Sequence, residues 1–376
     1  MKIAEIVATF PPYHGGMGYC CYHNADQLAK HGHEVTVFTI DHGRRAYTND
    51  PEHFKIVRLK SPLVLGDGAV LPQLFFKLKG FDIVHLHFPF YGGAEYVYLA
   101  CLLRGQKLFL TYHMDVYGNT LFKKAVINLY EAVLMKTIIK KADAISAPGK
   151  NYLKSTKAGG YIPWDKVADI VHGGVDIEKF RPRKKNTQLL KKHNIKDKTV
   201  ILFVGNIQPF KRLDLLIKAV SQIDDENVVV LVVGGGYGES DTKKLVSQLN
   251  MADRIIFAGP QSPDEELPDY YNIGDFLVLP STHSESFGLV VLEAMASGIP
   301  AIVSSLPGPS QLITEGTDGL IAQKGDITNL KNKINILAGN PELCKKMGAA
   351  ARSKIVKNYS WDMVGTQLDS AFRSIR

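Results

Sequence analysis

The chain has 376 residues, 45% of them hydrophobic and 22% charged, which suits two packed domains of ordinary size. No apolar run of about 18 residues occurs, which excludes a membrane-spanning helix at this level, and the opening Lys2-Ile-Ala-Glu-Ile-Val-Ala8 lacks the makings of a signal peptide. The net charge of +8 leaves anionic membrane and phosphorylated ligands open as partners, but no zinc finger, RNA-binding signature or aromatic–basic interleaving supports nucleic acid.

Apolar runs of strand length alternate with helical periods along almost the whole chain. The first half is predicted to hold strands at Ile3–Thr9, Val35–Ile40, Ile56–Leu59, Ile83–His87, Leu108–Tyr112, Ala144–Ala147 and Ile170–Val171. Between the first strand and the first helix lies Pro11-Pro-Tyr-His-Gly-Gly-Met-Gly18. Its Gly15, Gly16 and Gly18 permit positive φ and close backbone approach to an anion, with a plain turn as the alternative. It is not the G-x-G-x-x-G dinucleotide fingerprint, and no acid closes the second strand as a ribose would need, although Asp41 comes near; both points argue against a nicotinamide-linked oxidoreductase. His85 and His87 end the fourth strand and are expected on opposite faces, in structural roles. His113 follows the fifth strand in Phe109-Leu-Thr-Tyr-His-Met-Asp115. The stretch from Leu121 to Lys141 mixes apolar and basic residues on one long helix. It reads either as a buried helix with solvated lysines or as a contact with anionic lipid.

A basic, proline-containing break near Asp176 to Asn186 precedes a second series of strands. These are predicted at Val200–Val204, Val228–Val233, Ile255–Ala258, Phe276–Leu279, Ala301–Ser304 and Leu320–Ala322, with helical periods such as Leu213–Gln222 and Lys331–Leu337 between them. The alternation implies parallel sheets covered on both faces, hence two Rossmann-like α/β domains with a cleft between them. The expected limits are 1–178 completed by 360–376, and 179–359. The cysteines Cys20, Cys21, Cys101 and Cys344 have no metal-ligand spacing and read as reduced thiols of a cytoplasmic protein.

The most informative stretch is His283-Ser-Glu-Ser-Phe-Gly-Leu-Val-Val-Leu-Glu-Ala-Met-Ala-Ser-Gly-Ile-Pro300. Leu277-Val-Leu-Pro280 before it reads as a strand end, and Gly298 and Pro300 stop a helix. Glu285 therefore lies on the loop at the carboxyl end of a strand, where open α/β sheets bind ligands. Glu293 projects from the first turns of the following helix, whose N-terminus favours an anion. Two fixed acceptors beside an anion site suit a ligand with both hydroxyls and phosphates, such as a nucleotide sugar.

This stretch resembles the hallmark of the retaining glycosyltransferases of family 4, a Glu–seven residues–Glu motif in a Phe-Gly-Leu and Glu-Ala-Met-Ala context. Tyr22 to Val37 resembles the family's first helix and second strand, and Tyr359-Ser360-Trp361 resembles the entry to its last helix, which crosses back onto the N-terminal domain. The resemblance implies the two-domain GT-B fold, with an N-terminal acceptor domain and a C-terminal nucleotide-sugar domain. It implies transfer of a hexosyl unit, with retention, from a GDP- or UDP-linked sugar to a glycan, glycolipid or small-molecule acceptor. On this likeness Glu293 holds ribose hydroxyls and Glu285 holds hydroxyls of the transferred sugar. Lys211, with Arg212, stabilises the leaving diphosphate. The amides of Phe287, Gly288 and Leu289 add the helix-end field, and Gly205 and Asn206 belong to the donor site. Gly15 and Gly16 approach the donor diphosphate or the acceptor, and His113 reaches the transferred sugar. Neither cofactor nor metal is expected.

One position departs from the pattern: the family usually has arginine directly after the glycine, where this chain has Asn206. A GT-B protein that binds nucleotide sugar with impaired catalysis therefore stays as an alternative, beside the oxidoreductase and a nucleotide-sugar epimerase. A cytoplasmic location is expected, with contact at the inner face of an anionic membrane left open.

Overall fold

The computed structural model describes residues 1–12, 15–43, 51–118, 120–262 and 266–376. The chain divides into two compact units, Met1–Gly174 together with Trp361–Arg376, and Val175–Ser360.

The first unit contains strands β1 (Lys2–Ile6), β2 (Glu34–Ile40), β3 (Lys55–Leu59), β4 (Val64–Leu65), β5 (Gly68–Ala69), β6 (Ile83–Phe88), β7 (Lys107–Tyr112) and β8 (Ala144–Ser146). Six of them form a sheet in the order β3-β2-β1-β6-β7-β8, parallel throughout, and β4 and β5 make a small antiparallel hairpin. All-parallel sheets are buried on both faces, so their strands read as continuous apolar runs. One face packs Val84, Leu86, Leu108 and Leu110 against Leu74, Val97 and Ile138. The other packs Ile3, Val7 and Phe109 against Leu28 of the helix Gly16–Lys30 and against Leu368 and Phe372 of the last helix, Trp361–Ile375. That helix thus crosses back to complete the first unit, as expected.

The second unit contains β9 (Thr199–Val204), β10 (Val228–Val233), β11 (Ile255–Gly259), β12 (Phe276–Leu279), β13 (Ala301–Ser304) and β14 (Gly319–Ala322), ordered β11-β10-β9-β12-β13-β14 and again parallel. Its core joins Leu216, Val230, Phe276, Ile302 and Ile334. Both sheets therefore reverse strand order once, between β1 and β6 and between β9 and β12. At such switch points connecting helices leave in opposite directions and open a crevice at the carboxyl ends of the strands.

One local expectation fails, and one small element was not expected. Ile170–Val171 is not a strand: Val171 N–H donates to the Gln367 side chain of the last helix at 2.8 Å, so the backbone is satisfied without a strand neighbour. The β4–β5 hairpin has two residues per strand, too few to show alternation. Among the described residues no helix is long and apolar enough to cross a membrane. All four cysteines are buried and free.

Candidate active site

In the second unit the two strands flanking the switch point each deliver one charged residue. The chain leaving β9 closes a short turn, Pro209–Lys211, and enters the helix Leu213–Val220. The chain leaving β12 runs through 280–288 and enters the helix Leu289–Ala296. Thr282 N–H donates to the Phe210 carbonyl at 3.0 Å and joins the two loops. Lys211 Nζ then donates to Glu285 Oε2 at 3.1 Å, with the two side chains only 14% and 13% exposed. A charge pair this sheltered is screened far less than a surface pair.

Glu293 sits one turn into the helix Leu289–Ala296 and is partly buried. Tyr271 OH donates to its Oε2 at 2.6 Å. Burial raises this carboxyl to about 7, against the opposing pull of the Tyr271 hydrogen bond and of Lys179 and Lys211. Lys211 thus touches one acid of the motif, and its charge reaches the other. Tyr271 went unnoticed in the sequence, because nothing in the short helix Leu267–Ile273 sets it apart from its neighbour Tyr270.

Backbone geometry explains the glycines here. Gly288, with φ of +95°, turns the chain into the helix that bears Glu293. A Cβ on Gly234, where φ is +138°, would lie 2.1 Å from the Gly205 carbonyl oxygen. A Cβ on Gly236 would lie 2.2 Å from Asn206 Oδ1. The glycine loop after β10 therefore packs directly against Gly205-Asn206, and Asn206 rests on it. Arg212 adopts φ of +54°, and its guanidinium gives Asp214 two hydrogen bonds at 2.8 and 2.9 Å. Its charge is answered locally by that carboxylate.

In the first unit, Gly15 and Gly16 stand at the start of the helix Gly16–Lys30, while Tyr13 and His14 lie outside the described residues. Gly15 is extended, with φ of −177°, so no left-handed turn demands glycine there. Gly18 is the position that does require glycine, since a Cβ would lie 2.5 Å from the Thr9 carbonyl oxygen.

His113 extends the pairing of β6 and β7, its N–H donating to the Phe88 carbonyl at 2.8 Å. Its ring is buried and meets His87 at 2.8 Å. The expectation that His85 and His87 face opposite sides is wrong. Residues two apart on a strand share a face, and both rings reach the buried carboxylate of Glu5 on the adjacent β1, at 2.9 and 2.7 Å. Burial alone would raise Glu5, but the two imidazoles override it and hold it down at about 2. Burial pushes His87 down to about 4 and His113 well below the usual imidazole range. The donor atoms of Glu5, His85 and His87 lie within 4.8 Å of one another, close enough to hold a metal ion. In the structure they are joined directly by hydrogen bonds.

Residues 14–179 match the family Glycosyltransferase Family 4, and residues 185–354 match the family Glycosyl transferases group 1. The chain is 36% identical over 210 residues to the D-inositol 3-phosphate glycosyltransferase of Streptomyces scabiei, covering 53% of this chain and 46% of that protein. It thus spans about half the length of that relative and of its Streptomyces counterparts. Over its full length it is 26% identical to the N-acetyl-alpha-D-glucosaminyl L-malate synthase of Bacillus anthracis, of which it covers 98%. Among solved structures it shares its fold with Anabaena HepE in complex with UDP (TM-score 0.80, 17% identity, all of both chains). It shares it also with the sucrose-phosphate synthase of Thermosynechococcus elongatus (TM-score 0.78, 23% identity, 100% of this chain and 99% of that one). The two family matches leave only short segments of the sequence outside them, the fold is GT-B, and the chain belongs to the family 4, group 1 glycosyltransferases.

Proposed function

We propose that the protein is a retaining glycosyltransferase that moves a hexosyl unit from a nucleoside-diphosphate sugar to an acceptor hydroxyl. The observation that carries this reading is the sheltered Lys211–Glu285 pair at the switch point of the second unit, with Glu293 on the helix that follows. On binding, the donor diphosphate draws Lys211 from Glu285. The freed carboxylate then accepts hydroxyls of the sugar being transferred. Glu293 accepts from the ribose, and Tyr271 holds Glu293 in place. Gly205 and Asn206 line the donor beside these groups. As the glycosidic bond breaks, charge grows on the departing diphosphate. Lys211 and the amides of Phe287, Gly288 and Leu289 answer it, so the reaction needs no metal. The acceptor hydroxyl passes its proton to the leaving phosphate oxygen on the same face while the new C–O bond forms, which preserves the anomeric configuration. His113, Gly15 and Gly16 of the first unit attend the sugar and the acceptor.

Uracil is the favoured base, because similar folds bind UDP and UDP-glucose. The names of the relatives favour a small anionic acceptor with a free hydroxyl, such as an inositol phosphate or malate, over a glycan. A thermal-shift series with UDP- and GDP-sugars tests the donor. A ligand at 100 times its Kd stabilises the native state by about 2.7 kcal/mol, so a shift of several degrees is expected with UDP-sugars. No shift with either set rejects the donor site, and an inverted anomer in the product rejects retention.

A second reading has its own support. Asn206 removes one cation, and Asp214 engages Arg212. A nucleotide-sugar-binding protein with impaired transfer would show slow donor hydrolysis and no transfer to any of these acceptors.

The segment Leu121–Lys141 also supports peripheral contact with an anionic membrane. Met135, Ile138 and Ile139 are buried, whereas Leu121, Leu129 and Val133 are 85%, 68% and 55% exposed beside Lys123, Lys124, Lys136 and Lys140. Vesicle flotation should show binding that rises with the fraction of anionic lipid. Binding that ignores lipid charge removes this contact.

A further inference from the structure

Behind His113 the first unit holds a polar chain that glycosyl transfer, as described, leaves without a task. Glu5 on β1, His85 and His87 on β6, and His113 just past β7 are all buried. An ionised carboxylate can only accept hydrogen bonds. His85 Nδ1 and His87 Nε2 both meet the Glu5 carboxylate, so each of these nitrogens carries its proton. A neutral His87 then has a bare Nδ1. That atom lies 2.8 Å from His113 Nε2 and accepts from it. At the other end, His85 Nε2 lies 2.6 Å from Thr111 Oγ1, which lies 2.7 Å from Ser146 Oγ. Protons assigned in this way satisfy every contact along the chain. Phe109 and Phe372 set ring edges against His85, at centroid distances of 5.1 and 5.4 Å, and Cys21 Sγ lies 4.0 Å from Glu5. Water is thereby kept from the carboxylate end.

We propose that Glu5 and His87 are positioning residues that lock His113 as its Nε2–H tautomer, so that its Nδ1 is held as an acceptor for a substrate hydroxyl. The hydroxyl rests on the glycosyl-transfer reading; the tautomer does not. Among the described residues no hydrogen bond engages His113 Nδ1, whereas its Nε2 is fixed by the relay. Burial keeps His87 and His113 neutral near pH 7, which the assignment requires. Glu5 is a rare choice for the centre of a buried parallel strand, where an unpaired charge is costly. Its pairing with two imidazoles gives it a reason to be there.

Imidazole-15N spectra of the wild-type protein at pH 7.5 test this directly. The expected pattern for His113 is a protonated Nε2 and a bare Nδ1. A protonated Nδ1 overturns the proposal without any variant. In Glu5→Gln the amide can donate to His87 Nε2 and reverse the relay. His113 should then shift toward the Nδ1–H form, and kcat should fall about tenfold or more, as for loss of a hydrogen bond to a charged group, while the Kd for UDP, bound by the second unit, stays constant. An unchanged His113 spectrum in a folded Glu5→Gln protein also overturns the proposal. If His113→Ala leaves turnover intact while the wild-type spectrum is as expected, the relay stands and only the substrate role of His113 falls.

Discussion

Replacing Lys211 with alanine should lower kcat by about 10²–10³-fold, the usual loss when one group aimed at developing transition-state charge is removed. Glu285→Ala should cost a similar factor, through lost grip on the sugar. The pairing of these residues adds a second readout. In the free protein each neutralises the other at 3.1 Å in a sheltered site. Removing one leaves the other poorly solvated and alone, and stability should drop by about 1–2 kcal/mol. The double variant Lys211→Met/Glu285→Gln should recover much of that stability, since neither charge is then stranded, and recover none of the turnover. Kinetics and thermal melts on the three proteins separate the two effects. Near-wild-type turnover in either single variant would remove the pair from the reaction.

Glu293→Gln should pull binding and stability in opposite directions. Burial holds its carboxyl at about 7 in the folded chain, against 4.5 for an ordinary glutamate. Between those values the native state holds a proton that the unfolded state has released. The contribution of Glu293 to stability therefore falls as pH rises from about 4.5 to 7 and levels off above. Glutamine has no proton to lose, so the variant should gain about 2 kcal/mol over wild type between pH 4.5 and pH 8, the value being reduced by the partial exposure of the site. The same change should weaken UDP binding by about 10–100-fold, because a charged acceptor for two hydroxyls becomes a neutral one. Urea melts at both pH values and calorimetric titration of UDP are sufficient. A stability difference that does not change with pH would show that Glu293 is not held near neutrality by burial. Such opposition between binding and stability is common where a carboxylate is desolvated for a ligand.

Much of this was legible in the sequence because it is local. Apolar runs such as Val228–Val233 mark buried parallel strands, and the placement of Glu285 and Glu293 follows from a strand end, a loop and a helix stop only a few residues apart. What escaped depends on backbone twist or on contacts between distant segments. Arg212 turns to Asp214 because of a left-handed residue at the helix start, and no propensity for that conformation shows in an arginine. The Glu5–His87 contact joins strands 82 positions apart, and its register is set by sheet pairing. Placing His85 and His87 on opposite faces was an error of period, since strand side chains alternate singly. The role of Gly308 also lies outside any local pattern: a Cβ there would fall 2.5 Å from the carbonyl oxygens of Glu285 and Ser286, so the short helix Pro307–Ser310 underpins the loop that carries Glu285.

The last helix has a consequence for how the protein is made. Leu368 and Phe372 fill the core beside Ile3 and Phe109, so β1 cannot reach its finished packing until the helix Trp361–Ile375 has been made. A whole second unit emerges and can fold in the meantime, while the earlier one waits with apolar surface uncovered. Nascent chains halted before Trp361 should therefore lean on chaperones, and the first unit is completed by the docking of one amphipathic segment onto a nearly complete sheet.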